Sequence, residues 1–200
     1  MSDDITIRPA LTEEVGVIAD MWADASERLK AQGQWQYPAD TKKILRDIER
    51  GNAYIAHCGA DYMGTVTVDD FADPEFWKPA DDPQSALYGH RIITSQIAIG
   101  RSIGVALIDW ASLKAEKAGK DWFRVDAWKT NTQLGDYYER MGFEHIRTVD
   151  LPHRRSGALY QRRAGVVTGR APRFVGLESL SRDANGNPAA EGGWGWTSET

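Results

Sequence analysis

Apolar residues recur along this chain at two periods, and the periods divide it into elements. Val15, Ile18, Trp22, Ala25 and Leu29 return at helical spacing. They predict a helix from Thr12 to about Gln32, with Gly33 as its stop. A shorter helix is predicted from Thr41 to Arg50, capped by Asp40, with Ile44, Leu45 and Ile48 inside and Gly51 after it. Ile103, Ala106, Leu107, Trp110 and Leu113 mark one face of a third, Ile103 to Ala118, ended by Gly119. Asn131 to Met141 reads as a fourth, stopped by Gly142. Strands are expected at Ile5 to Arg8, Asn52 to Cys58, Asp61 to Asp69, Ala86 to Thr94, Trp122 to Trp128, Phe143 to Leu151 and Ala158 to Arg162. The second and third form a hairpin around Gly59 and Ala60. Residues 70 to 86, with Pro74, Pro79 and Pro83, read as a long loop. The order β-α-α-β-β-β-α-β-α-β-β is a mixed α/β layout in one layered domain.

That element set is complete by Arg162, which sets the expected division: a domain at 1–163 and an extension at 164–200. The extension is rich in Gly, Asn and Ala and has no sustained period ("SRDANGNPAAEGGWGW"). It is either a loosely ordered tail, dispensable for folding, or a docking segment using Trp194 and Trp196. "RFVGLESL" in its first half can add a strand.

Composition narrows the classes of function. The chain has 200 residues, is 42% apolar and carries a net charge of -5, so one domain with a proper core is expected. The acidic balance argues against nucleic acid or an anionic membrane held by bulk charge, and is compatible with a cationic small molecule. Cys58 is the only cysteine, which excludes an intrachain disulfide and a cysteine-rich metal site. "MSDDITIRPA" has neither the basic start nor the apolar core of a signal peptide, and no apolar run has bilayer length. The expectation is a cytoplasmic, soluble chain.

One short stretch suggests chemistry. "IGRSIG", residues 99 to 104, lies between a predicted strand and a predicted helix. A glycine-bearing turn before a helix N-terminus offers free N–H groups and a partial positive charge to a phosphate. Gly100 and Gly104 leave backbone bare, and Arg101 adds a cation. The same pattern also serves as a plain strand-to-helix connector.

The surrounding sequence resembles the GNAT superfamily of acyl-CoA-dependent N-acyltransferases. "ALYGHRIITSQIAIGRSIGVALIDWA" is similar to that family's central strand, pyrophosphate loop and following helix. "WFRVDAWKTNTQLGDYYERMGFEHIRTV" is similar to its next strand, helix and strand, with Asn131, Tyr138, Gly142 and Phe143 at the family's spacing. The resemblance spans roughly Ile5 to Arg163. The family's loop has Gln or Arg, then Gly, then Gly or Ala at the positions of Ile99, Ser102 and Gly104; only Gly104 matches. The fold it implies is a mostly antiparallel central sheet flanked by helices.

The resemblance implies transfer of an acetyl group from acetyl-CoA to a primary amine of a small molecule, by direct attack. Ile92, Ile93 and Thr94 would hold the pantetheine arm through backbone pairing. Gly100, Arg101, Ser102, Ile103, Gly104 and Val105 would hold the pyrophosphate. Asn131 would contact CoA, while on its own it reads as a helix cap. Tyr138 matches the family's general acid; Tyr137 beside it reads as packing. His90 and Asp126 are the candidate bases, and each reads equally as a hydrogen-bonded or ion-paired structural residue. Trp35, Tyr37, Asp69, Asp70 and Trp77, with Trp128, are candidate contacts for a cationic acceptor. A homodimer is a further candidate partnership. The alternative is a GNAT-fold protein with a degenerate cofactor loop, acting as a binding module or turned to non-acetyl chemistry.

Overall fold

A computed structural model describes residues 4–34 and 37–177. Strand β1 (Ile5–Pro9) leads through a single 3-10 turn into helix α1 (Val15–Ala31), so this helix begins three residues later than its periodicity predicts. The turn forms because the Glu14 carboxylate accepts from the Leu11 N–H at 2.8 Å and from Arg8 at 2.6 and 2.9 Å. Helix α2 (Thr41–Glu49) starts at Asp40, whose carboxylate accepts from the N–H groups of Lys42 and Lys43. Strands β2 (Ala53–Cys58) and β3 (Asp61–Asp69) form the expected hairpin. Strand β4 (Ala86–Thr94), helix α3 (Ile103–Lys117), strand β5 (Trp122–Trp128), helix α4 (Thr132–Arg140), and strands β6 (Glu144–Thr148) and β7 (Ser156–Arg163) follow in the predicted order.

Strand β6 is shorter than predicted. Phe143, expected to open it, is buried beside Tyr138 and Phe123 instead. The long loop after β3 is built rather than slack. Trp77 is 4% exposed and packs with Phe76, Ala86, Tyr88 and Leu159. The Arg124 guanidinium lies 4.6 Å from the Trp77 ring centroid and donates to the carbonyl of Asp81 at 2.7 Å. Asp81 in turn receives two bonds from Arg147. Trp77 therefore anchors the loop and is not an open surface for an acceptor, against the sequence expectation.

The sheet runs β6-β7-β5-β4-β3-β2-β1-β8, where β8 is Phe174–Val175. Neighbours are antiparallel except β4 with β5 and β1 with β8. Helix α3 is buried on nearly every side because it packs across β3, β4 and β5. Trp110 of this helix packs on Tyr54 at 4.6 Å between centroids. Helices α1 and α2 cover the opposite face through Ile18, Met21, Ile44 and Ile48.

The element set does not close at Arg162. Strand β8 pairs in parallel with β1 (Ile5 with Phe174, Thr6 with Val175). Residues 164–177 pack on the domain, with the N–H of Gly165 bonding Ser112 and Thr168 bonding Asp109 twice. The sequence carried this only as the strand that "RFVGLESL" can add. Trp194 and Trp196 lie outside the described residues.

Candidate active site

Two strands that run together and then part create the site. Strands β4 and β5 pair from Ala86 with Trp122 to Gly89 with Val125. Beyond that point β4 stays with β3 as far as Gly64 with Thr94, and β5 stays with β7 as far as Trp128 with Ser156. Residues 90–94 of β4 and 126–128 of β5 therefore border a fork. A bulge helps to open it. Thr65 faces Ile93 but Thr67 faces His90, so β4 carries one extra residue there, and Arg91 takes a left-handed φ of 47°.

The loop after β4 ends at the first turn of α3. The N–H groups of Ile103, Gly104 and Val105 have no acceptor within a helix of this hand. The Ser102 side chain, at the N-cap, makes no capping bond. Gly100 has φ 78° and Ser102 has φ 55°, both left-handed. Glycine adopts this freely; serine does so at a cost of about 1–2 kcal/mol. Ile103 and Val105 bury their side chains, leaving only their backbone to the loop, while Ile99 is 56% exposed. This first turn offers N–H donors and a helix dipole to an anion. The Arg101 guanidinium lies 3.9 Å from the sulfur of Met63 on β3.

Gly104 shows why the position is bare. A Cβ there would come within 3.1 Å of the Tyr137 hydroxyl and 3.8 Å of the Thr94 methyl. The Tyr137 hydroxyl thus reaches the loop, although the sequence suggested only packing. Tyr138 turns inward, its ring 5.3 Å from Phe143, 5.6 Å from Tyr160 and 6.0 Å from Tyr137. Burial pushes the Tyr138 phenol well above its ordinary range, and the negative charge of Asp126 adds to the shift. Both effects keep the phenol protonated. Burial likewise raises Tyr137.

Asn131 does cap α4, accepting from the Leu134 N–H at 3.0 Å, and its amide donates to Gln34 at 2.8 Å. That second bond ties α4 to the chain after α1. Arg28 of α1 donates to the Thr94 carbonyl at 2.8 Å and to Gln96 at 3.2 Å, fixing the end of β4. Sequence periodicity gave no sign of Arg28 or Gln34, because each acts across a large sequence separation.

The acceptor candidates divide. On the sheet face opposite α3, alternation places Tyr88 and His90 of β4 beside Arg124, Asp126 and Trp128 of β5. His90 Nε2 lies 3.3 Å from an Asp69 carboxylate oxygen. Tyr37 meets Trp128 edge-on at 6.2 Å, and Arg155 lies 5.9 Å from the Trp128 ring centroid. Asp70 is exposed beyond this group, and Trp35 lies outside the described residues. Next to the group, the Arg91 guanidinium pairs with Asp47 of α2, donates to Thr67 at 2.9 Å and faces the Trp22 ring. These residues line a small hollow with Ile18, Ile44 and Ile93. Among the described residues no helix is long and apolar enough to cross a membrane.

No family model matches the chain. A curated relative, an uncharacterized N-acetyltransferase YesJ of Bacillus subtilis, is 23% identical over 155 residues, covering 73% of this chain and 85% of the relative. A GNAT-family acetyltransferase of Listeria monocytogenes superposes with a TM-score of 0.69 at 23% identity, covering 80% of this chain and 94% of its own. The PaiA N-acetyltransferase of Thermoplasma acidophilum, solved with coenzyme A, gives 0.62 at 16% identity, covering 82% and 99%. The mostly antiparallel, helix-flanked sheet is the fold these enzymes share.

Proposed function

We propose that this chain, which has the GNAT acetyltransferase fold, is an N-acetyltransferase that moves an acetyl group from acetyl-CoA to a primary amine of a small molecule. The observation that carries the reading is the fork between β4 and β5, which leads to a helix N-terminus with uncapped N–H groups. Its parts match the needs of the cosubstrate. The first turn of α3 suits a pyrophosphate, and the free edge of β4 at Ile92 and Ile93 suits an amide-bearing arm. The likeness to YesJ and to acetyltransferases of the same fold supports acetyl transfer as the reaction.

The chemistry needs two proton movements. The acceptor arrives as an ammonium and must lose a proton before its lone pair can attack the thioester carbonyl. His90 takes that proton and passes it to solvent. Asp126 lies on the same face as an anionic neighbour for the ammonium. Attack forms the C–N bond, the C–S bond breaks, and the thiolate takes the Tyr138 proton. The nitrogen's second proton, lost as the amide forms, returns to Tyr138 through solvent. The net release is one proton. Tyr37 and Trp128 supply aromatic faces for a cationic acceptor.

Two measurements test the reading. Acetyl-CoA at a hundred times its Kd should stabilise the native state by about 2.7 kcal/mol. Thiol release across a panel of small primary amines should then identify an acceptor. Absence of any thermal shift at millimolar acetyl-CoA would favour the binding-module reading, which the exposed Ile99 and the left-handed Ser102 motivate.

A further inference from the structure

Asp69 and His90 sit on neighbouring strands at the point where the sheet divides. His90 is the first residue of β4 beyond the last pair with β5, and it directly precedes the bulge at Arg91. The imidazole is therefore held between a continuous sheet on the β3 side and the open fork on the β5 side. Asp69 closes β3 one pair beyond Gly89 with Val68. Its carboxylate oxygen Oδ1 also accepts from the N–H of Phe71 at 3.1 Å, which fixes the side chain at the start of the loop. The same oxygen lies 3.3 Å from His90 Nε2. A carboxylate only accepts, so Nε2 carries the hydrogen. Both side chains are largely covered, at 16% and 28% exposure.

We infer that Asp69 is a positioning residue for His90: it holds the imidazole as the Nε2–H tautomer, so that Nδ1 is the atom that takes the acceptor's proton. The sequence placed Asp69 among the acceptor contacts; the pairing gives it a different task. The inference rests on the acetyl-transfer reading for its catalytic meaning, while the tautomer itself is a property of the protein alone. The step is a single proton transfer from the ammonium nitrogen to Nδ1, giving an imidazolium whose Nε2–H stays on the carboxylate. The charged groups around it come from five elements: Asp69 on β3, Arg124 and Asp126 on β5, Asp70 in the loop, and the Arg91–Asp47 pair joining β4 to α2.

Nitrogen-resolved NMR of the histidines in the full chain tests the tautomer without any acceptor. The wild type should show neutral His90 as Nε2–H. Asp69→Ala should lower the Nε2–H population to that of a free imidazole, and Asp69→Asn, which keeps an acceptor oxygen for both Phe71 and His90, should restore it. With an amine found by the thiol-release panel, Asp69→Ala should lower turnover roughly tenfold or more while leaving acetyl-CoA affinity in place. A wild-type Nδ1–H tautomer, or an Asp69→Ala spectrum with the Nε2–H form unchanged in a folded protein, overturns the proposal. If acetyl-CoA fails to bind, the acetyl-transfer reading falls, and the tautomer measurement still decides the role of Asp69.

Discussion

Asp109 of α3 and Arg162 of β7 form an ion pair at 3.1 Å, each side chain only 1% exposed. The arginine also donates to the carbonyls of Met141 and Ile108, at 2.8 and 3.0 Å. The other carboxylate oxygen of Asp109 accepts from the Thr168 N–H and hydroxyl, at 2.9 and 2.8 Å. A charge at the centre of the core therefore holds the segment after β7 in place.

Asp109→Ala leaves a buried guanidinium without its counter-charge and should cost about 3–5 kcal/mol of unfolding free energy in urea. Replacing both partners with apolar residues, Asp109→Leu with Arg162→Met, should cost much less, because no buried charge remains. Truncation after Arg163 removes the Thr168 bonds and strand β8 together. It should lower the unfolding midpoint clearly, contrary to the dispensable extension that the sequence suggested. A truncated chain that unfolds like the full one would show that this segment contributes little.

Ser102→Gly relieves a left-handed serine of about 1–2 kcal/mol of strain. It also adds backbone entropy to the unfolded chain, which offsets about 0.5–1 kcal/mol. Stability should change by less than about 1 kcal/mol, and calorimetric titration should find acetyl-CoA affinity retained or raised. Lost binding would assign the serine hydroxyl a ligand of its own.

Gly104→Ala places a methyl group 3.1 Å from the Tyr137 hydroxyl. Only the far end of one side chain must yield, so the fold should survive with a loss of about 1 kcal/mol. The displaced hydroxyl and the covered first turn of α3 should weaken acetyl-CoA by on the order of tenfold, a change of about 1.4 kcal/mol. Adding Tyr137→Phe removes the oxygen that the methyl group meets and should recover the lost stability, while acetyl-CoA affinity stays low in the same titration.

Tyr138→Phe keeps the ring against Phe143 and Tyr160 and deletes only the acid. Turnover in a thiol-release assay should fall roughly a hundredfold or more. Acetyl-CoA affinity should hardly move, because the hydroxyl acts as charge develops on sulfur. Near-wild-type turnover would transfer the role elsewhere, and Tyr137→Phe in the same assay separates the two neighbours.

Glu14 carries the clearest acid-side signature. Its hydrogen bonds from Arg8, opposed by burial and aided by the Leu11 N–H, lower its pKa to about 2 from an ordinary 4.5. A depressed carboxylate stabilises the fold above its unfolded pKa. That contribution is lost as pH falls from about 4.5 to about 2. Unfolding free energy measured by urea should therefore drop across this window, and Glu14→Gln should flatten the drop while lowering stability at neutral pH.

The sequence by itself determined the local elements and their order. Helical spacing of Ile103, Leu107 and Trp110, the Asp40 and Asn131 caps, and alternation along Trp122–Trp128 need only neighbours in the chain, so pattern exposes them. The loop at residues 99–104 and the Asn131–Tyr138 spacing were legible for the same reason. Tertiary structure decided what meets across strands. Register sets Asp69 opposite Tyr88 and His90 opposite Thr67, so Asp69 meets His90 across the diagonal of the β3–β4 pair; the bulge at Arg91 helps to open the fork, and the placement of α4 brings the Tyr137 hydroxyl to Gly104. The pairing of Phe174 with Ile5 joins residues far apart in sequence, and neither partner's local pattern encodes the other. Trp77 carried the same ambiguity: an aromatic in a proline-rich loop reads alike whether it faces solvent or core, until Arg124 and Arg147 are seen to close over it.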